Sequence, residues 1–134
     1  MENKFFTYRF EKLDVYQLAR KIRIDIKKLT LNFPNDEKFE LTSQIRRSSS
    51  SIATNLAEGS GRASGADQAY FSNISYSSAL ETIDHLIYAF DMQYISAETY
   101  SSLRVKLDEI INKINSLYKF QINQSEGLKE KLRK

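Results

Sequence analysis

The chain has 134 residues, with one proline, four glycines and no cysteine. This length fits one domain with a substantial core, and the scarcity of proline and glycine predicts a few long elements. The absence of cysteine excludes disulfides and thiolate metal sites. No apolar run reaches the roughly 18 residues of a membrane span. The first residues also lack the organisation of a secretion signal, so we expect a cytoplasmic protein with no membrane partner.

The net charge of +3 is unevenly distributed along the chain. Residues 1–35 contain eight Lys and Arg against four acids, and residues 96–134 contain eight against five. Residues 59–95 contain one against four. The two ends of the chain are therefore its basic parts. Such a bias serves either solubility or the binding of a polyanion, and the sequence leaves both explanations open.

The first helix is expected to begin at Asp14, because Asp14-x-x-Gln17 has capping-box spacing and Leu13 and Leu18 occupy the hydrophobic-staple positions. Apolar residues at intervals of three and four form its core seam: Val15, Ala19, Ile22, Ile26, Leu29 and Phe33. Pro34 ends the helix, because the residue before a proline disfavours the helical conformation.

The second and fourth helices follow the same spacing. Asn35 and Asp36 are predicted to cap the second helix and Gly59 to end it. Its seam consists of Leu41, Ile45, Ser48, Ile52, and Asn55 or Leu56. The serine run 48–51 is interpreted as small side chains that allow close helix approach. The fourth helix is expected to begin at Ser96, with the seam Tyr100, Leu103, Leu107, Ile110, Ile114 and Leu117.

The third helix, which is expected to begin at Ser64, is apolar on two sides. The stripe predicted to face the core is Tyr76, Leu80, Ile83, Ile87, Phe90 and Tyr94. A second stripe consists of Phe71, Ile74, Ser78, Glu81, His85, Ala89 and Met92. One side would lack cover in a monomer, so we expect a homo-oligomer. Its predicted interface includes Phe71, Ile74, His85, Met92, Ile24 and Leu31. The alternative is a thick core with scattered surface leucines.

These signals predict an all-α fold, an antiparallel up-down four-helix bundle of left-handed packing that assembles into a homo-oligomer. The predicted division of the chain is an N-terminal arm, 1–13, a bundle, 14–122, with helices at about 14–33, 36–58, 65–94 and 97–122, and a basic C-terminal tail, 123–134.

Catalytic chemistry is not expected. His85 is the one histidine, and Glu81 lies four residues before it, whereas di-metal bundles use pairs of Glu-x-x-His. Only His85 could serve the serines as a histidine base. The stretch 59–65 follows a helix, whereas a phosphate-binding loop follows a strand. We therefore predict no catalytic residue, no metal, no cofactor and no enzyme activity. His85 is interpreted as a hydrogen-bonded structural residue.

A polar stripe lies beside the apolar seam of the second helix: Gln44, Arg47, Ser51, Asn55 and Glu58. Together with Glu81 of the third helix, it is interpreted as a structural network that fixes helix register. Arg47 is expected to reach Glu81 on the third helix, and Asn55 and Glu58 are expected to bind the backbone at the Gly59 turn. A ligand pocket is the alternative reading of the same residues.

Two stretches resemble a known family, the bacterial four-helix bundle proteins named after the intervening sequences of 23S rRNA genes. They are the opening, Phe10 to Ala19, and a longer block that includes Phe33-Pro34, Gln44-Ile45-Arg46-Arg47-Ser48 and Asn55-Leu56-Ala57-Glu58-Gly59. The third helix departs from the family, which tends to show Ala-Arg-Gly-Ser before its glutamate where this chain has Ser77-Ser78-Ala79-Leu80. The missing arginine removes a positive charge from that helix.

The resemblance implies a ring-like homo-oligomer, most often a pentamer, and no established biochemical activity. The family is also similar to the accessory protein of diversity-generating retroelements, a basic bundle that binds nucleic acid and a reverse transcriptase. This kinship favours RNA or DNA as a partner.

The first functional hypothesis is therefore an oligomeric module that binds RNA or DNA backbone. The candidate contacts are Arg20, Lys21, Arg23, Lys27, Lys28, Arg46 and Arg62, with the tail cations Lys129, Lys131, Arg133 and Lys134. The alternative is a protein-interaction scaffold that binds no nucleic acid and docks through the aromatic arm residues Phe5, Phe6, Tyr8 and Phe10.

Overall fold

The computed structural model describes residues 4–124. They form four α-helices: α1 Asp14–Thr30, α2 Leu41–Ser60, α3 Gly65–Asp91 and α4 Ala97–Asn123. Two short 3-10 turns, Arg9–Lys12 and Asn35–Glu37, precede α1 and α2. No strand occurs among these residues, so the predicted all-α class is confirmed. None of the helices described is long and apolar enough to cross a membrane. Most of the predicted basic tail, from residue 125 onward, lies outside the described residues.

The helices pack as a bundle in which each one contacts two others. α2 lies between α1 and α3, and α4 lies between α3 and α1. No described residue of α1 has its Cα within 8 Å of one in α3, so these two helices occupy opposite corners. The core is a single cluster that contains the predicted seams of α1, α2 and α4, and its fully buried members include Ile22, Ile26, Ile45, Ile52, Leu107, Ile110 and Ile114.

The prediction for the core face of α3 was wrong. Of the predicted stripe, Leu80, Ile87 and Phe90 are each about 40% exposed or more. The buried face lies between the two apolar stripes, and most of its side chains are small: Ala69, Ser72, Ser75, Ser78, Ala79, Thr82 and Ala89, with Ile83 and Leu86 as its larger members. The hydrophobic pattern could not identify this face, because serine and threonine register as polar although here they are buried.

Hydroxyl groups bond across the interface between α2 and α3. Ser48 Oγ and Thr82 Oγ1 are 2.8 Å apart, and Ser75 Oγ donates to the carbonyl oxygen of Ile52 at 2.7 Å. Because these groups find partners, they are buried without the cost of an unsatisfied polar atom. The predicted role of the serine run, close helix approach, is confirmed for Ser48 and Ser49, which are at most 1% exposed.

Gly59 brings α2 and α3 together at the end of this interface. Gly59 was predicted to end α2, but it lies inside the last turn of that helix. A Cβ atom built on Gly59 would lie 2.6 Å from Cβ of Phe71, a distance that real side chains do not tolerate. Gly59 is therefore required by the close approach of α3, while a Cβ on Gly61 would meet only the carbonyl oxygen of Glu58 at 3.6 Å.

Three of the four predicted helix starts hold, at Asp14, Ser64 and Ser96, and the predicted start of the second helix does not. The hydroxyls of Ser64 and Ser96 each accept a backbone N–H three residues later, at 3.1 Å, and so cap α3 and α4. Asn35 and Asp36 instead belong to a separate 3-10 turn that ends at the buried Glu37. The second helix begins only at Leu41. The first helix has Leu13 at its N-cap position, and Asp14 is its first residue.

Glu37 is buried and receives a hydrogen bond from the segment that follows α3. The Tyr94 hydroxyl donates to Glu37 Oε2 at 2.9 Å, and the Tyr94 ring packs against Phe33 with 5.7 Å between centroids. The carboxylate and the partial burial together raise the pKa of Tyr94 from 10.0 to about 12. This contact joins the segment between α1 and α2 to the segment between α3 and α4.

Gly59→Ala is expected to lower the free energy of unfolding by about 1–3 kcal/mol, although alanine is the better helix former, because its Cβ would overlap Phe71. Urea unfolding followed by circular dichroism measures the change. Gly61→Ala is the matched control and is expected to be neutral or slightly stabilising. Equal stability of the two variants would contradict the close approach of α2 and α3.

Tyr94 is expected to ionise well above pH 10 in the native protein. Its pKa is raised from 10.0 to about 12 in the folded chain, so its stabilising contact is complete below about pH 10 and is lost as the pH rises toward 12. A titration of phenolate absorbance measures this, and Tyr94→Phe should remove the component that titrates near pH 12. Retention of that component in Tyr94→Phe would disprove the assignment.

Candidate nucleic-acid interface

Three of the predicted nucleic-acid contacts lie in a row along α1. Arg20, Arg23, Lys27 and Thr30 follow one another at intervals of three, four and three, which places them on the same side of the helix. Arg20 and Lys27 are exposed and Arg23 is half-buried, as expected for a long side chain that lies along the surface with its charged end in water. The row rises about 10 Å from Arg20 to Lys27.

Arg46 joins this row from α2. Its Nε donates to Thr30 Oγ1 at 2.7 Å, and the same hydroxyl donates to the carbonyl oxygen of Lys27 at 2.9 Å. Thr30 is 3% exposed, so this bond holds the Arg46 side chain at the C-terminal end of α1, where the helix dipole favours a cation. We call Arg20, Arg23, Lys27 and Arg46 the basic row.

Hydroxyl side chains accompany Arg46 along the outer side of α2. Ser43, Arg46, Ser50 and Thr54 are spaced by three, four and four residues, so they share one side of the helix, and Ser43 and Thr54 are exposed. Serine and threonine are common donors to phosphate oxygens. These hydroxyls were not among the predicted contacts, because Ser50 was assigned to packing with the rest of the serine run, and Ser43 and Thr54 lie outside that run. Their spacing from Arg46 was the signal that could have found them.

The carboxylates of α1 point away from the basic row, toward α4. Lys113 Nζ lies 2.6 Å from Asp14 Oδ2, and Lys106 Nζ lies 3.3 Å from Asp25 Oδ2. The hydrogen bond that Lys113 donates to Asp14 raises the pKa of Lys113 above its ordinary value. These exposed pairs add little to stability, but they engage both acids of α1 with α4.

The cations of the basic row are not paired with acids in the described part of the chain. Within residues 4–124, no carboxylate oxygen lies within 4.0 Å of a charged nitrogen of Arg20, Arg23, Lys27 or Arg46. A surface row of cations without carboxylate partners attracts a polyanion.

The remaining predicted contacts lie elsewhere. Lys21 and Lys28, seven residues apart, are exposed on the α4 side of α1 and form a second, shorter row. Arg62 lies in the segment between α2 and α3, with its guanidinium 4.6 Å from the centroid of the Phe71 ring. The seven predicted cations therefore divide into three groups: the basic row, the pair Lys21 and Lys28 on α1, and Arg62 alone.

The predicted polar network divides into two parts. Arg47 donates to Gln44 Oε1 at 3.0 Å and pairs with Glu81, whose Oε2 also lies 3.1 Å from His85 Nε2. In the second part, Asn55 Nδ2 donates to the backbone and side-chain oxygens of Ser51, each at 2.9 Å, and Ser51 Oγ contacts Ser78 Oγ at 2.8 Å.

Two members of this network lie where they were not expected. The side chain of Asn55 bonds one turn back toward Ser51 and not to the Gly59 turn. Glu58 is exposed and joins neither part through a hydrogen bond to a described side chain.

The residues predicted for self-association lie on two separate surfaces. On α1, Ile24 is 47% exposed and Leu31 is 70% exposed. On α3, Met92 is 46% exposed, and the half-buried members are Phe71, Ile74 and His85. Because α1 and α3 occupy opposite corners, the two apolar surfaces face away from each other.

The part of the chain that the structure describes contains no cluster of metal-binding side chains. No group of three or more His, Cys, Asp or Glu side chains is placed there to hold an ion. The arrangement on α1 and α2 offers charge and hydrogen-bond donors to a polyanion, without a nucleophile or base beside them.

Comparison with known proteins identifies the family. Residues 11–116 match the family described as 23S rRNA-intervening sequence protein. A solved structure of a protein of unknown function, from the S23 ribosomal protein family of Bacteroides thetaiotaomicron, superposes with a TM-score of 0.73 and 30% sequence identity. The match covers 78% of this chain and 95% of that one. No protein with a curated functional description matches. The chain belongs to the family of 23S rRNA-intervening sequence proteins.

Proposed function

We propose that this protein is a non-enzymatic, self-assembling module of the cytoplasm that binds the phosphate backbone of RNA or DNA along the basic row. The observation that carries the proposal is that no carboxylate oxygen of residues 4–124 lies within 4.0 Å of a charged nitrogen of the basic row, although both acids of α1 pair with α4. Exposed hydroxyls along α2 add donors for phosphate oxygens. The family description names an intervening sequence of 23S rRNA, which favours RNA as the partner.

Affinity would come from counterion release and not from the reading of bases. Each cation that meets a phosphate displaces condensed counterions, so binding falls steeply with added salt. Several subunits that each present four such cations multiply the effect through multivalency. A row of this kind has no groups arranged to distinguish base pairs, and we therefore propose contacts to the backbone.

The assembly that we propose is a ring of antiparallel, up-down, left-handed bundles, with a pentamer favoured by the family resemblance. The up-down arrangement is supported by the contacts between α2 and α3, in which Ser48 meets Thr82, Ser51 meets Ser78 and Ile52 meets Ser75. Exposed apolar surfaces on opposite corners, α1 and α3, favour contact between the α1 surface of one copy and the α3 surface of the next. Such head-to-tail contacts generate closed rings.

The alternative function is a protein scaffold that binds no nucleic acid. The exposed apolar residues on α1 and α3 favour it, because patches of this kind mark protein contacts. In that case the cations would serve solubility alone.

The variant R20Q/R23Q/K27Q is expected to bind a labelled structured RNA at least tenfold more weakly than the unmodified chain. Its affinity should also depend less on salt, with the slope of log affinity against log salt reduced by roughly two to three. Fluorescence anisotropy at several salt concentrations measures both quantities.

The control removes the same number of charges from α4, in R104Q/K106Q/K113Q, where each cation already has a carboxylate partner. This control should retain most of the affinity. An equal loss in both variants would assign binding to net charge, and RNA binding that ignores salt would contradict the proposal. No binding at low salt would favour the scaffold.

Self-association through α1 and α3 is tested by light scattering on a sizing column. The unmodified chain should exceed the 15.6 kDa of one copy. Two single-surface variants, I24Q/L31Q on α1 and I74Q/M92Q on α3, should each weaken assembly. Val105→Gln is the control, because Val105 is 68% exposed on α4.

Mixing the two single-surface variants distinguishes a ring from a symmetric dimer. Each variant retains one intact surface, so the mixture should form a dimer and stop there. A dimer formed by either variant alone would contradict head-to-tail contacts. A monomeric unmodified chain would contradict self-assembly.

A further inference from the structure

One end of the bundle carries a group of exposed aromatic rings that the core does not use. Phe5, Phe6 and Tyr8 are 69%, 72% and 60% exposed. They lie in a stretch of four residues, 5–8, that is not helical. Phe6 and Tyr8 contact each other edge to face, with 5.1 Å between centroids, and Tyr8 stacks toward Phe10 at 6.4 Å. We call Phe5, Phe6 and Tyr8 the aromatic arm. Three exposed rings in so short a stretch form an apolar patch of the kind that marks a contact site.

The root of the arm is held in place. Phe10 packs edge to face on Tyr16 of α1, at 4.9 Å between centroids. The backbone N–H of Tyr8 donates to Glu11 Oε2 at 2.7 Å, and Gln17 Nε2 donates to the carbonyl oxygen of Glu11 at 2.6 Å. The rings therefore project from a fixed base, which lowers the entropy lost when a ligand stacks on them.

A cleft begins where the arm joins the bundle. It has a volume of about 240 Å³, and Arg9, the residue after Tyr8, lines it together with Phe120, Gln68, Gln121 and Gln124. This volume is below the roughly 300–1,000 Å³ of pockets for drug-sized ligands, and it suits a single planar heterocycle. Phe120 is 53% exposed at its edge and offers a ring face for stacking.

The amides in the cleft are only partly used. Gln121 is 7% exposed, and its Oε1 accepts from Ser72 Oγ at 2.6 Å, but its Nε2 has no acceptor among residues 4–124. Gln68 Nε2 donates to the carbonyl oxygen of Arg62, which leaves the Gln68 Oε1 as an acceptor without a described donor. A free amide donor and a free amide acceptor in one cleft match the edge of a nucleobase, which presents both.

The end of the bundle that carries the arm is slightly more basic than the opposite end. Its cations are Lys4, Arg9, Lys12, Arg62 and Lys119, beside the acids Glu11, Asp14, Glu58 and Asp67. The opposite end has the acids Asp36, Glu37, Glu40, Asp91 and Glu98, beside the cations Lys27, Lys28, Lys38 and Arg46. Of the acids near the arm, Glu11 accepts a hydrogen bond from the Tyr8 N–H, and Asp14 pairs with Lys113. The cations near the arm can therefore meet the phosphates of a ligand that stacks on its rings.

We infer that the aromatic arm and the cleft beside it bind the unpaired bases of single-stranded nucleic acid, while its phosphates meet the surrounding cations. Only unpaired bases expose the faces that stack on aromatic rings and the edges that amides recognise. The inference rests on the proposed function and makes it more specific, because it selects single strands over duplexes.

The test compares labelled oligonucleotides of one length, as single-stranded RNA, single-stranded DNA and duplex RNA, on the full chain. F6L/Y8L and Phe120→Leu are each expected to bind both single strands about tenfold more weakly, since each stacked base contributes about one order of magnitude in affinity. Duplex affinity, which depends on the basic row, should change by less than twofold. Phe39→Leu is the matched control, because Phe39 is 84% exposed at the opposite end.

A conservative variant separates stacking from structure. The chain has eight tyrosines and no tryptophan, so tyrosine emission is its intrinsic fluorescence. A base that stacks on Tyr8 should quench part of this emission. Tyr8→Phe should retain affinity for single strands but lose that part of the quenching, whereas Tyr8→Leu should lose both.

Each remaining outcome overturns the inference. Equal effects of F6L/Y8L and Phe39→Leu, or an equal loss for duplex and single strands, would remove the role of the arm. A change in assembly mass in F6L/Y8L would assign the arm to contact with a second copy. Salt-dependent duplex binding without any response to these variants would contradict the inference and leave the basic row intact. No binding of any probe would contradict both proposals.

Discussion

The close approach of α2 and α3 determines where the large side chains of α3 lie. Gly59 lets Phe71 come near, and the hydroxyls of Ser48 and Thr82 bond across the interface between the two helices. Small residues therefore fill the buried face of α3, and apolar side chains such as Leu80 and Met92 remain partly in solvent on either side. The same constraint that packs the subunit thus leaves an apolar surface for another molecule.

The acids and the cations of α1 lie mainly on different sides of the helix. The acids of α1 lie on its α4 side, where Lys106 and Lys113 pair with them. The charged side chains on the opposite side of α1 are therefore all cations. Arg46 extends this surface onto α2 because Thr30 anchors its guanidinium. Exposed pairs of this kind contribute little to folding. Their larger effect is to keep carboxylates away from the basic row.

The sequence predicted much of the fold and less of the surface. The seams of α1, α2 and α4 follow the three-four spacing of leucine and isoleucine, and the capping serines of α3 and α4 have the expected hydrogen bonds. The core face of α3 was mistaken because buried serine is indistinguishable from exposed serine until its partner is known. Likewise, the pairing of acids with α4 and the cleft beside Arg9 depend on contacts between distant parts of the chain, which spacing along one helix does not contain.

The central claim is that nucleic acid lies along the basic row, and lysine footprinting tests it most directly. The intact protein is acetylated with and without RNA at low salt, and mass spectrometry measures the reactivity of each lysine. We predict that RNA protects Lys27, whereas Lys106 and Lys113 on α4 keep their reactivity. Protection of the α4 lysines with Lys27 unchanged would contradict the account.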